Sequence, residues 1–440
     1  MLPMVSQNLH DFDLLTQSLS PLSSFACKAK LARFCDPAVN ISCGTGSKEI
    51  MSEKKHISPA SASLPEARGG IYLHIPFCSH RCGYCAFYTA GARLADWKLF
   101  EQGVAGELAS RASELTFHPE TLYFGGGTPS LLPPQEFLSL VGILEREGRF
   151  RREDLREFTI EVNPDDVDES RADAWLEGGV NRISMGVQSF DAGELRLLGR
   201  RHDPAHISRS LEILRKRFSN ISIDLIYSLP GQTPEGWERN LREAVKADLP
   251  HISLYSLSFE ERSALTYRLG QNELEVPDED FGAEMNRLND VILSEGSLYR
   301  YETSNYARRG YESLHNGRYW SGAPYLGLGP SASSYDGDRR RRTNASDLRG
   351  YLRGNVAYEA EELTEEELLE EYLMTRLRRA EGIDLLDFES RFGAPAREKL
   401  LRQARRFIGE GLLSLNEVRL QPTSEGLYML DYILVELISS

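Results

Sequence analysis

The stretch 71-IYLHIPFCSHRCGYCAFYTAG-91 joins a short apolar strand, 71-IYLHI-75, to three cysteines, Cys78, Cys82 and Cys85, packed inside eight residues. The whole chain has only six cysteines, so this concentration asks for a chemical reason. Spacings of four and three let three thiolates converge from one loop on a compact metal centre. Cysteine thiolate is the usual ligand of iron–sulfur clusters. Three ligands leave one iron of a [4Fe–4S] cube open to a substrate or cofactor. Zinc is the rival, but a structural zinc takes four protein ligands. No fourth cysteine lies nearby, and His80, between the first two cysteines, would strain so tight a loop.

Working outward, short apolar, β-branched segments recur at 121-TLYF-124, 158-FTIEV-162, 182-RISMGV-187, 221-ISIDLIY-227 and 251-HISLYSL-257. Amphipathic stretches such as 97-WKLFEQGVAGELASRA-112 and 205-AHISRSLEILRKRF-218 lie between them. Alternating strand and helix predicts repeated βα units, a mainly parallel sheet and a partial barrel of about six units. In such folds, functional groups gather at the carboxyl ends of the strands. The unusual residues do collect there: the cysteine loop after the first strand, then 125-GGGTPS-130, 161-EVNP-164, 187-VQSF-190 and 224-DLIYSLPGQT-233. One cofactor site built by all of them is the economical reading. Glu161 and Asp224 are acids on otherwise apolar strands, and a buried carboxylate calls for a partner or a ligand.

Residues 1–68 differ from the rest, being rich in Ser, Ala and Pro. They read as a poorly ordered N-terminal extension. Cys27, Cys35 and Cys43 fall there and read as incidental thiols, with a second metal site as the alternative. A transit peptide would be richer in Arg and poorer in acids, and Met51 is an alternative start. A partial barrel is expected over 69–258 and a less periodic α+β extension over 259–355. Over 356–440, helix, helix, hairpin and helix read as a small winged-helix-like domain. The net charge of −15 argues against a general nucleic-acid binder. No apolar run is long enough for a transmembrane helix, and sparse cysteines favour a reducing compartment. A cytoplasmic protein is expected, with peripheral membrane association and organelle targeting left open.

CxxxCxxC after one strand, GGGTP after the next and a partial βα barrel resemble the radical S-adenosylmethionine superfamily. The resemblance sharpens in 72-YLHIPFC-78, EVNP, GVQSF and DLIYSLPGQT, which look like the branch holding oxygen-independent coproporphyrinogen III oxidase and the HemW haem chaperones. It runs from about Ile71 to the C-terminus. It implies a [4Fe–4S] cluster on Cys78, Cys82 and Cys85, with S-adenosylmethionine chelating the open iron. It further implies that Gly126, Gly127 and Thr128 hold the methionine amino end. Glu161, Gln188, Arg200 and Asp224 would serve the ribose, carboxylate and methionine parts, Tyr72 would lie near the adenine, and Tyr84 would sit beside the cluster. Arg201 rivals Arg200 within 199-GRRH-202.

Two features separate the branches. Oxidases of this group carry a further cysteine two positions after the third, where this chain has Phe87. The HemW-like group carries HNxxYW, and 315-HNGRYW-320 fits. The resemblance therefore implies a haem chaperone, with His315 as axial ligand and Tyr319 and Trp320 stacking on the porphyrin. Haem-requiring proteins such as respiratory oxidases would receive the haem, and a separate donor would reduce the cluster. The run 339-RRRR-342 reads either as a contact for haem propionates or as a solvated loop. The alternative is the oxidase itself, decarboxylating coproporphyrinogen III by a 5′-deoxyadenosyl radical. A tRNA-modifying radical enzyme is weakened by the acidic charge.

Overall fold

The computed structural model describes residues 67–259, 263–271, 273–275 and 279–439. Cys27, Cys35, Cys43, Met51 and the rest of the N-terminal extension before residue 67 lie outside them.

Six parallel strands carry the fold: β1 (Arg68–Ile75), β2 (His118–Gly126), β3 (Glu157–Val162), β4 (Arg182–Gln188), β5 (Ile221–Tyr227) and β6 (His251–Ser256). Longer helices cross between them: α1 (Trp97–Ser110), α2 (Pro134–Gly148), α3 (Glu169–Glu177), α4 (Pro204–Arg215) and α5 (Pro234–Lys246). Each strand alternates in a way that decides which face it turns outward. Ile71, Leu73, Leu122, Phe124, Phe158, Ile160, Ile183, Met185, Ile221 and Ile223 are buried in the main core. They pack there with helix residues such as Phe100, Val104, Phe137, Leu140 and Leu144. The alternate positions, including Thr121, Tyr123, Glu161, Ser184, Asp224 and His251, are polar, and hydrogen bonds on this inner face join Thr121 to His315, Tyr123 to Glu161, Ser184 to Asp224 and Ser222 to His251. The result is a partial barrel with an apolar jacket and a polar lumen.

The chain after β6 extends the same sheet at both edges. Strands β7 (Tyr299–Arg300) and β8 (Asn305–Ala307) add antiparallel beyond β6. Strand β9 (Tyr325–Leu328) returns parallel to β1, and β10 (Ser333–Tyr335), β11 (Arg340–Asn344) and β12 (Tyr358–Glu362) follow antiparallel. The sheet reaches twelve strands in the order β12-β11-β10-β9-β1-β2-β3-β4-β5-β6-β8-β7. The run 339-RRRR-342 is thus largely strand, not loop. Three of its four arginines meet carboxylates: Arg339 pairs with Glu365, Arg341 with Glu361 and Glu371, and Arg342 with Glu114.

A long helix, α6 (Glu279–Glu295), packs beside α5, and a short one, α7 (Leu314–Trp320), carries HNGRYW. The C-terminal part begins with α8 (Glu365–Arg376), capped by a reciprocal Thr364–Glu367 box. Helices Leu385–Phe392 and Ala394–Gly409, a three-stranded sheet with the hairpin Leu413–Leu415 and Arg419–Pro422, and terminal helices complete a winged-helix-like unit. It has its own core around Leu377, Ile383, Phe388, Phe407, Leu420 and Ile433. The terminal segment, expected as one helix, is two, Ser424–Tyr428 and Leu430–Ser439, with Met429 capping the first. Among the described residues, no helix is long and apolar enough to cross a membrane.

Candidate functional site

The cysteine loop is fixed at the top of the barrel by backbone bonds on both sides. Gly83 donates to the Leu198 carbonyl at 3.0 Å and accepts from the Leu265 N–H at 2.9 Å. Cys78, Cys82 and Cys85 are free thiols, each half-buried. Two donors point at their sulfurs: Thr128 Oγ1 at 3.3 Å from Cys78 Sγ, and Arg200 Nη1 at 3.4 Å from Cys82 Sγ. Burial pushes the Cys85 thiol up to about 11 and raises Cys78 as well, so a metal centre must displace protons there. Among the described residues, no three His, Cys, Asp or Glu side chains are close enough to hold a single metal ion. Three thiols in one loop with sulfur-directed donors suit a cluster held by thiolates.

The GGG turn after β2 needs its glycines. Gly126 has φ +107°, and a Cβ there would lie 2.5 Å from the His74 ring. A Cβ on Gly127 would lie 2.7 Å from the Pro76 backbone. The turn therefore offers bare backbone beside the cysteine loop. Glu161 faces it: Oε2 accepts from Gly126 N at 3.1 Å, and Oε1 accepts from Tyr123 Oη at 2.8 Å. Tyr72 is buried beneath and shares a 3.1 Å hydrogen bond with His74 Nδ1, while His74 Nε2 donates to the Tyr88 carbonyl.

On the opposite wall, Gln188 sits at φ +67° where the β4–β5 register slips. A non-glycine residue held there is strained backbone of the kind that collects at ligand sites. Arg200 is oriented by Asn163 Oδ1 at 2.6 Å and the Gly186 carbonyl at 2.8 Å, next to Tyr84 and Cys82. Arg201 instead points out, 60% exposed, toward Asp165. Of the two arginines, Arg200 is therefore the one that faces the cysteines. Burial raises Asp224 to about 6, partly offset by hydrogen bonds from Ser253 and Ser184 and by the nearby Arg182 guanidinium. Arg182 is fully buried in the lumen and lowers the cost of holding several acids there.

Tyr72, Tyr84, Gly126, Gly127, Thr128, Glu161, Gln188, Arg200 and Asp224 therefore line one mouth with the three cysteines. Bare backbone, two acids and a strained glutamine suit a small cation with a polar tail. Tyr123, Asn163, Arg182, Ser184 and His74 belong to the same construction and were missed from sequence. Each sits inside a motif already quoted, and the period-two alternation of its strand is the signal that would have found the strand residues.

His315, expected as a haem ligand, lies below that mouth against Tyr72 and Tyr123, and in this structure it is enclosed by protein. Its side chain is fully buried. Nδ1 bonds Thr121 Oγ1 at 2.8 Å and Nε2 bonds Tyr319 Oη at 2.8 Å, so neither ring nitrogen is free for iron. Burial drives its pKa down to about 3, so the ring stays neutral. Tyr319 and Trp320 are buried too, with Tyr319 edge-on to Tyr325, so neither offers a porphyrin-stacking face. Three of the four arginines of the expected propionate contact, Arg339, Arg341 and Arg342, are paired with carboxylates, as described above.

The radical SAM superfamily model matches residues 72–244, and the HemN C-terminal domain model matches 363–429. A Lactococcus lactis protein named "Heme chaperone HemW" is 34% identical over 359 residues, covering 81% of this chain and 93% of that protein. Its Mycobacterium tuberculosis namesake is 32% identical, covering 85% and 96%. The Bos taurus mitochondrial radical S-adenosyl methionine domain-containing protein 1 is 33% identical, covering 87% and 90%. Among solved structures, coproporphyrinogen III oxidase (HemN) from Escherichia coli superposes with a TM-score of 0.72 at 24% identity, covering 85% of this chain and 91% of that one.

Proposed function

Because this chain belongs to the HemW-type branch of the radical S-adenosylmethionine superfamily, we propose that it is a haem chaperone, binding haem and passing it to haem-requiring proteins such as respiratory oxidases. The observation that carries this reading is the similarity, over nearly their whole length, to relatives that bear the name heme chaperone. Phe87 supports it, since it stands where the oxidases of the branch carry a further cysteine. The likeness to the Escherichia coli oxidase concerns the fold and does not separate the two activities.

Cys78, Cys82 and Cys85 would hold a [4Fe–4S] cluster. Gly126, Gly127 and Thr128 would take the methionine amino end of S-adenosylmethionine, and Glu161, Gln188, Arg200 and Asp224 its ribose, carboxylate and methionine parts. Tyr72 would lie by the adenine and Tyr84 by the cluster. When bound, these groups supply a reducible cluster beside a cleavable sulfonium, and an external donor would provide the electron. The chain's own contribution is electrostatic and steric. Glu161 and Asp224 would complement a cation, Arg200 and Thr128 donate to the sulfurs of Cys82 and Cys78, and the glycines would admit the ligand to backbone contact.

The test is anaerobic. Reconstituted full-length protein is titrated with haem and, separately, given coproporphyrinogen III, S-adenosylmethionine and a strong reductant. Haem bound near one per chain without porphyrinogen decarboxylation is expected. Conversion of coproporphyrinogen III to protoporphyrinogen IX would replace the chaperone reading with the oxidase.

A further inference from the structure

We infer that the HNGRYW helix is the floor of the S-adenosylmethionine pocket, and that His315 is a positioning residue that acts through Tyr123 on Glu161. The inference rests on reading Glu161 as a cofactor contact. The chain of contacts is short. The His315 ring lies flat against Tyr123, with centroids 5.0 Å apart and planes 26° apart. Tyr123 Oη then donates to Glu161 Oε1 at 2.8 Å, and the second oxygen of Glu161 accepts from Gly126 N. His315 Nδ1 also bonds Thr121, two residues before Tyr123 on β2. One imidazole therefore grips the strand that leads into the glycine turn at two successive lumen-facing positions.

The ring has no slack. A Cβ on Gly70 would lie 3.1 Å from it, and Tyr72 closes another side at 6.5 Å between centroids. The helix itself is anchored at both ends. Glu157 accepts from Ser313 Oγ, Leu314 N and His315 N at its start. Arg376 of α8 donates to the carbonyls of Trp320 and Ser321 at its end, at 2.6 and 2.8 Å. Only histidine combines a flat face for Tyr123 with two opposed bonding atoms, one for Thr121 and one for Tyr319. Phenylalanine keeps the face and loses both bonds. Glutamine keeps a bond and loses the face.

The test uses cluster-loaded full-length protein under anaerobic conditions. Two quantities are read: S-adenosylmethionine affinity by equilibrium dialysis, and the change that S-adenosylmethionine produces in the EPR spectrum of the reduced cluster. Glu161→Gln should weaken affinity about tenfold or more, as expected for loss of a charged partner. His315→Ala and Tyr123→Phe should each weaken it about fivefold and shift the cofactor-induced EPR change. The double variant should lose no more than the larger single loss, because both act on one carboxylate. His315→Phe and His315→Gln should fall between wild type and His315→Ala, and they carry the test if the alanine variant does not fold. Affinity and EPR response unchanged in the folded His315 variants, or losses that multiply in the double variant, would overturn the positioning role. A silent Glu161→Gln would instead overturn the cofactor reading on which the inference rests.

Discussion

The cysteine loop at the mouth of the barrel and the HNGRYW helix at its floor are both short and rich in ligand-type side chains. They end in opposite conditions. At the mouth, three half-buried thiols are met by donors directed at sulfur, among them Thr128 and Arg200, and burial raises the pKa of Cys78 and Cys85. Their lone pairs are available, and a metal would relieve the buried protons. At the floor, both nitrogens of His315 are hydrogen-bonded and the ring is fully buried against Tyr123. A ligand needs a free lone pair and a path to it. The mouth has both, and the floor has neither.

Breaking the mouth should have the largest effect. Cys78→Ala, Cys82→Ala or Cys85→Ala should drop reconstituted iron from about four per chain to near zero and abolish the thiolate-to-iron absorption. Iron retained in all three would remove the distinction between the two regions.

Breaking the floor should act on stability. Glu157 is buried and holds three donors at the start of α7. Glu157→Gln leaves at least one of them poorly matched and should cost about 2–3 kcal/mol in urea unfolding, with iron loading unaffected in the folded fraction. A change under about 0.5 kcal/mol, the range of an inert surface substitution, would mean that the floor is not held as described.

The mouth should also respond to pH. Asp224 is raised from the usual carboxylate range to about 6, first by burial. Its contribution to stability is therefore full below about pH 4, near the unfolded carboxylate value, and is lost as pH rises through about 6. Ionisation over the same window places a negative charge beside a cationic ligand. S-adenosylmethionine affinity should rise between pH 5 and 7 by about fivefold to tenfold, and Asp224→Asn should flatten the profile. An unchanged slope in that variant would assign the titration to another group.

The finest comparison lies between neighbours. Arg200→Ala should weaken S-adenosylmethionine binding. Arg201→Ala should change neither binding nor stability by more than about 0.5 kcal/mol, since its side chain is mostly in solvent. Equal effects would contradict the assignment of Arg200 to the mouth.

Much of this was legible in the sequence, for physical reasons. The six barrel strands announce themselves through β-branched runs, and the residues at their carboxyl ends follow from how βα units stack. The jacket and lumen were legible too, in alternations such as 221-ISIDLIY-227. That pattern would have assigned Tyr123, Arg182 and Ser184 to the lumen. Strand β9 was harder: Tyr325–Leu328 is four residues with a glycine inside, and only pairing with β1 and β10 makes it a strand. The 339-RRRR-342 run reads as loop because charge disfavours strand on average, yet facing glutamates on β12 and α8 stabilise it. The enclosure of His315 was not legible, because no local pattern records that Gly70, Thr121 and Tyr123, far away in sequence, close around it.

The most direct measurement is a haem titration of wild type and His315→Ala, followed at the Soret band with iron–sulfur content and unfolding midpoint measured on the same samples. If the floor helix is structural and the mouth holds the cofactors, both proteins bind haem with the same stoichiometry and the same Soret maximum. Loss of haem binding or a shifted Soret band in folded, cluster-loaded His315→Ala would contradict that, and would make the HNGRYW helix a haem ligand that must leave its buried position to act.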